Sequence, residues 1–468
     1  MVNQPAVSMS RSQLVLMVTA LVFSVVAVGL GSTMVAPAVH DINTHLGPGA
    51  FVTMSTYFYL AGAIANVVLV RWSDYVGRKR ILLAILVVAC VGTALCVVST
   101  SLPVVVFGRF LQGTGNVTFA MAFLILRTRV SGPTFGVCCG IVSSINGGVA
   151  GGDAFVGGLM VDRWGYRSIF VLILVIGLFA IVFAVKSVPA DDPAERQPGR
   201  MDWVGAALIS MTVGGINLFF SAGSGGHWLS QPAVIWFVAF ALAFVALIAF
   251  ESRTAHPLVD IKHMRTREAW PLILVTILVM GSFMIVLGYV VPALAEDPDS
   301  GFGLSATATA LMFLTPAAVI QLMVAPLMGR LAVRIGFVTM LRIGVAGTVA
   351  VTVLLAIVAQ HQHLVAIGMA LYGFIFTGTL MTAMGSLGVL QASDEAPGAL
   401  PGISNASYGI GSSIGFAWVG PIVGSGTVSS FANALWICVG IGVVALICAL
   451  ILKPKQVSAP GGALAGAR

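Results

Sequence analysis

The chain has 468 residues, of which 58% are hydrophobic and only 8% charged. A water-soluble globule carries roughly 25% charged residues, so that class is excluded. The net charge of +7 would suit nucleic acid, but the cations fall at the ends of apolar runs, where orientation in a bilayer explains them better. No nucleic-acid partner is expected. The six Cys all lie inside apolar runs, which fits buried thiols and not a disulfide frame or a metal site.

The first apolar run follows Arg11 and extends from about 14 to 37, too long for a signal-peptide core, so it reads as a retained span. Further spans are expected near 51–70, 80–100, 103–126, 135–160, 168–187, 203–222, 232–251, 270–292, 305–328, 337–359, 364–391, 400–424 and 432–452. Each is long enough to cross the hydrocarbon layer as a helix. The expected fold class is therefore an all-α membrane protein with 14 transmembrane helices. With both termini in the cytoplasm, only Arg163 and Arg167 of the 23 Lys and Arg lie outside, and Arg109 lies within a span. That distribution obeys the positive-inside rule.

Between the second and third spans sits a charged elbow, Asp74-Tyr75-Val76-Gly77-Arg78-Lys79-Arg80. Gly77 permits a sharp turn. The three cations hold the loop in the cytoplasm, but topology gains little from Asp74, so Asp74 with Arg78 also reads as a conformational contact. In the fourth span, Arg109 precedes Gln112, Gly113, Gly115 and Asn116. An arginine that deep faces a wet cavity or an acidic partner, or else snorkels to the helix end. Its place soon after the outer loop argues against snorkelling. The fifth span carries Asp153 among Gly151, Gly157 and Gly158. Burial and a neighbouring guanidinium act on a carboxylate in opposite directions, so Asp153 facing Arg109 is poised to load and release a proton. A static pair with Arg109, or a hydrated Asp near the surface, are the alternatives.

The stretch 188–200 is rich in Pro, Asp, Glu and Arg and reads as an exposed linker. Later, Gly329-Arg330-Leu331-Ala332-Val333-Arg334-Ile335-Gly336 echoes the elbow, with Val333 in place of Asp74. The echo predicts a parallel repeat of two pseudo-symmetric six-helix halves plus two inserted helices. The expected units are 1–187, 188–269 and 270–468. Asn66, Asn146, Gln321 and Asn405 are weak candidates for a substrate path, each equally suited to an interhelical hydrogen bond. His361-x-His363 reads as a solvated pair, not a metal site, and His40-Asp41 is noted only as an outer proton acceptor. No phosphate-binding G-x-x-x-x-G-K-S/T pattern is present, so ATP is not the direct energy source. No enzyme motif appears.

The elbow resembles the loop between helices 2 and 3 of the major facilitator superfamily, G-x-L-A-D-R-x-G-R-R. Asp74, Gly77, Arg78 and Lys79 match, while Val70, Trp72, Ser73 and Tyr75 depart from it. Arg109, Gln112, Gly113 and Gly115 resemble the family's fourth-helix R-x-x-Q-G-x-G. Gly157 and Gly158 match the end of the antiporter motif, G-P-x-x-G-G, and Gly140 and Gly151 match earlier small positions. Asp153-Ala154 replaces its Gly-Pro pair, which removes the proline kink and weakens the export direction inferred from it. Leu30-Gly31-Ser32-Thr33 stands where relatives carry L-D-x-T, without the acid. Met201 to Gly205, Phe250 to Asp260 and Gly402 to Asn405 look like the fourteen-helix drug:proton antiporter branch. The resemblance implies proton-driven efflux of amphipathic compounds across a bacterial inner membrane by alternating access. It implies no cofactor, only small-molecule substrate, protons and the lipid bilayer as partners, and a monomer as sufficient. A proton symporter, an exporter of one polar metabolite, or a lipid flippase are the alternatives.

Overall fold

A computed structural model describes residues 10–130, 132–191, 196, 201–254, 264–391, 399–424 and 427–454, without the side chains of 132, 133, 136, 137, 140, 143–151, 225, 401 and 428. All regular structure among these residues is helical. In chain order the helices are α1 (Arg11–Thr33), α2 (Val39–Leu46), α3 (Ala50–Val76), α4 (Arg78–Val98), α5 (Leu102–Gly113), α6 (Thr118–Arg129), α7 (Gly132–Trp164) and α8 (Arg167–Ser187). Next come α9 (Trp203–Gly223) and α10 (Gln231–Glu251). The last group is α11 (Trp270–Glu296), α12 (Ala306–Ile335), α13 (Phe337–Ile357), α14 (Gln362–Leu390), α15 (Ala399–Val423) and α16 (Val428–Ile451). Among the described residues, eleven helices are long and apolar enough to cross a membrane.

The helix boundaries follow local chemistry. Ser10 and Gln13 form a capping box that starts α1. Gly77, at φ 118°, ends α3 and starts α4. Gly336, at φ 90°, does the same between α12 and α13, so the echoed elbows share one backbone solution. That left-handed φ is cheap only for glycine. The face carrying the α3–α4 turn is called the elbow face below, and the opposite one the distal face. The short α2, on the distal face, was not expected from the sequence. Its eight residues were too few to stand out beside the spans.

Where lipid provides little drive for helices to associate, close packing of small residues does. Gly92 of α4 and Gly108 of α5 abut each other's backbone, and Gly415 of α15 abuts Gly281 of α11. Gly113 lies against the Phe58 carbonyl of α3, with no room for a Cβ. Gly113→Val is therefore expected to separate α3 from α5 and lower the detergent-solubilised Tm. An unchanged melting curve would refute that packing role.

Two kinds of departure from the α-helix shape the interior. A 3-10 turn, Thr114–Val117, separates α5 from α6. Wider π segments occur at Met280–Met284, Val286–Val290, Ala310–Leu314 and Gly373–Leu380. Such segments loosen the hydrogen-bond ladder and recur at functional sites. Here all of them lie in the C-terminal group of helices.

Helices α3 and α15 pack along one another, as do α7 and α12. Phe51 and Tyr59 of α3, Tyr289 of α11 and Phe416 of α15 form an aromatic cluster across the junction, with centroids 5.5–6.2 Å apart. The α9–α10 pair rests on the outside of this junction, Ile209 and Val213 packing against Leu60 and Ala63 of α3. Trp203 meets Trp72 of α3 at the elbow end. Phe220 and Trp228 meet Trp418 of α15 at the distal end.

Candidate functional site

A partly open cavity lies between the N- and C-terminal groups of helices. Its walls are Ser32, Thr33 and Ala36 after α1's core, Ala154 of α7, Met284, Leu287 and Gly288 of α11, Leu314, Ala317, Ala318 and Gln321 of α12, and Thr377 of α14. Met284, Leu287, Gly288, Leu314 and Thr377 all belong to π segments. The departures from regular helix thus form one wall of the cavity. The lining is mixed, with hydroxyls and one carboxamide set among aliphatic surface, as binding pockets commonly are. It contains no charged side chain. Among the described residues, the Gln321 amide makes no hydrogen bond to a neighbour.

Asp153 stands just behind this lining. It is 5% exposed and accepts a hydrogen bond from the Thr33 hydroxyl through Oδ2. Its Oδ1 is buried and has no hydrogen-bond partner among the described residues. An ionised carboxylate left half-satisfied in a low-dielectric site is costly, so the arrangement suits a group that takes up a proton.

Arg109 is 2% exposed. Its Nη1 donates to the Gly31 carbonyl at 2.9 Å and to Gln112 Oε1. The guanidinium lies 4.2 Å from the Phe58 ring centroid and 5.8 Å from that of Phe170. Gln112 in turn donates to Thr93 at 3.0 Å. The structure corrects the expected contact between Asp153 and Arg109, because no ion pair joins them. The reason is helical geometry. Arg109 reaches α1 at Gly31 and Asp153 reaches it at Thr33, two residues on and about 200° around the helix. Helix α1 stands between the two groups.

The elbow is a charge network with a member the sequence reading missed. Asp74 lies 3.2 Å from Arg71 and 3.6 Å from Arg78, and Arg78 donates to the Leu124 carbonyl of α6 at 2.8 Å. Asp191, from the linker after α8, accepts from the backbone N–H groups of Lys79 and Arg80 at 2.9 and 3.1 Å. A carboxylate there satisfies free N–H groups and the positive end of the α4 dipole. A side chain at Gly77 would collide with Asp191, so glycine serves both the turn and the cap. Lys79 Nζ donates to the Val185 and Val188 carbonyls, holding the end of α8 to α4.

The distal face is closed by hydrogen bonds between the two groups of helices. Asp162, near the end of α7, accepts from the N–H groups of Ala306 and Thr307 at 3.1 and 2.9 Å and so caps α12. Glu296, at the end of α11, accepts from His40 N–H at 2.8 Å. Gly157 packs on Met34, and Gly158 packs on Ala306. The motif glycines of the fifth span therefore serve close approach at this seam. Neither Asp162 nor Glu296 was a candidate, since nothing in a single sequence distinguishes them from other loop acids.

Of the remaining candidates, Gln321 lies in the cavity and Asn405 is half-buried on α15 outside its lining. Asn66 and Asn116 bond to carbonyls of their own helical segments, Gly62 and Gly113, at 2.9 Å. They do not line the cavity. Gly115 packs against Val28. Asn146 and Gly151 lie outside the residues whose side chains are described.

The model of the Major Facilitator Superfamily matches residues 21–416 and 272–467. The chain is 29% identical to the uridine/deoxyuridine transporter of Lactococcus lactis subsp. cremoris (strain MG1363), over 86% of each chain. It is 26% identical to the drug efflux pump JefA of Mycobacterium tuberculosis (strain CDC 1551 / Oshkosh), over 88% of this chain and 82% of that one. Identity to the multidrug resistance protein Stp of the same strain is also 26%, over 75% of this chain and 64% of that one. The fold is similar to that of the POT family transporter PepTSo, with a TM-score of 0.64 at 14% identity over 93% and 97% of the two chains. It is also similar to a point mutant of the nucleoside transporter NupG, with a TM-score of 0.62 at 14% identity over 94% and 99%.

Proposed function

We propose, because this chain belongs to the Major Facilitator Superfamily, that it carries a small neutral polar solute of the nucleoside class across the membrane by alternating access driven by protons. The observation that carries this reading is the cavity lining. Its hydroxyls at Ser32, Thr33 and Thr377 suit a sugar. The uncommitted Gln321 amide suits the donor–acceptor edge of a base, and Met284, Leu287 and Leu314 suit its flat faces. The absence of charge from the described lining disfavours strongly ionic solutes. Similarity to a uridine/deoxyuridine transporter over most of both chains supports the same class.

In this reading α5 and α6 form one span and α2 none, which gives fourteen. Two six-helix halves, within 1–187 and 270–468, rock about the cavity, and α9 and α10 are the insert. The basic elbow face is cytoplasmic by the positive-inside rule. Asp153 carries the coupled proton. A second reading, export of amphipathic drugs, is favoured by the multidrug relatives and by the aliphatic share of the lining.

Labelled uridine uptake in cells stripped of their own nucleoside carriers separates the two. Uptake that a protonophore stops is expected. Gln321→Ala should raise KM about tenfold, the equivalent of about 1.4 kcal/mol for a lost hydrogen bond. Ethidium extrusion without uridine uptake, by properly inserted protein, would establish the drug reading instead.

A further inference from the structure

The distal seam holds a carboxylate whose burial the closing contacts do not account for. Glu296 is 5% exposed. Its Oε2 accepts from His40 N–H across the seam at 2.8 Å, whereas Oε1 is buried with no partner among the described residues. Asp162 and Asp41, both contributed by the N-terminal group, lie close enough to act on it electrostatically. Each of these two has donors of its own. Asp162 caps α12, and Asp41 accepts from Tyr166 N–H at 2.7 Å and pairs with His45 at 3.2 Å. Other titratable or charged groups on these elements include His40 on α2, Arg163 on α7, Tyr289 on α11, and Asp297 and Asp299 in the following loop, and among the described residues none makes an ion pair with Glu296.

We infer that Glu296 is a proton-binding site of the distal gate, distinct from the cavity carboxylate Asp153. A proton taken from the distal solution sits on Oε1, leaving Oε2 to accept from His40. In that form Glu296 is neutral beside two carboxylates, and the seam stays shut. When the proton returns to the distal solution, three negative groups face one another in a poorly hydrated seam. Charge repulsion and the demand for hydration then draw Glu296 out, and the contacts of Asp162 and His40 part. The proton enters and leaves on the same side, so this site senses distal pH and does not contribute to the transported count. The inference rests on the alternating-access reading above, but not on the identity of the solute.

The test measures the gate itself. Spin labels at Thr44→Cys and Asp299→Cys, in full-length protein with its six native cysteines replaced, report the width of the seam by pulsed EPR. From about pH 5 to about pH 9, which brackets the perturbed range of a buried carboxylate, the wild-type distance should pass from a short to a longer population. Glu296→Gln keeps an acceptor for His40 and should stay short throughout. Asp162→Asn removes one repelling charge, so deprotonation strains the closed seam less and the opening should move to higher pH or be blunted. A wild-type distance indifferent to pH, or a transition that persists unchanged in Glu296→Gln, overturns the inference. If the glutamine variant does not insert, the wild-type and Asp162→Asn series decide. Uridine uptake in the labelled protein is scored separately, so a failed gate and a wrong solute give different results.

Discussion

Arg109→Met is expected to silence transport while leaving the folded protein at least as stable as the wild type. The guanidinium is almost wholly buried, and among the described residues its Nε has no acceptor and no ion pair involves it. Removing an ion from water costs several kcal/mol even after relaxation. Hydrogen bonds involving a charged group return about 1.5–3 kcal/mol each, and a desolvated cation–π contact about 2 kcal/mol. The two sides nearly cancel, and a buried ion replaced by an apolar group of similar volume is often neutral or stabilising. Stability therefore gives Arg109 little reason to be there. What it does give is a link between α1, through Gly31, and the Gln112–Thr93 pair of α5 and α4. Lysine should not rescue transport, because a compact ammonium lacks the flat guanidinium face that stacks on Phe58 while Nη1 serves Gly31 and Gln112. Uptake and Tm measured on the same preparations check this. A methionine variant that unfolds would make Arg109 a structural residue.

Asp153→Asn should abolish uphill accumulation driven by the pH gradient while preserving solute exchange across an equilibrated membrane. The asparagine carbonyl still accepts from Thr33, so the local structure survives and only the titratable proton is lost. Proteoliposomes loaded with unlabelled uridine measure exchange, and an imposed pH gradient measures coupling. Accumulation equal to wild type in the variant would remove Asp153 from the proton path. Loss of both activities would point to a role in binding.

The sequence made the helices legible because hydrophobic length is a strong one-dimensional signal, and each expected span coincides with observed helix. The elbow was legible for a similar reason, since Gly77, Asp74 and Arg78 act within a few residues of one another. The relation between Asp153 and Arg109 was not. Both residues were correctly singled out, but their meeting depended on which sides of α1 they approach, and spacing along other helices does not encode that angle. The gate pairs were hidden differently. Glu296 and His40 are far apart in the chain, and each resembles any polar residue at a span end. Asp191 sits in a linker whose composition promised only exposure, yet it caps α4. The cavity wall depended on π segments, which apolar periodicity does not announce.

The α9–α10 pair is fastened to α3 at one end through Trp72 and to α15 at the other through Trp418. It acts as a diagonal brace nailed to both leaves of a hinge. Were the two groups of helices to swing against one another as proposed, these tryptophan joints would have to stretch or shear. The same pair shingles the α3–α15 crevice against lipid.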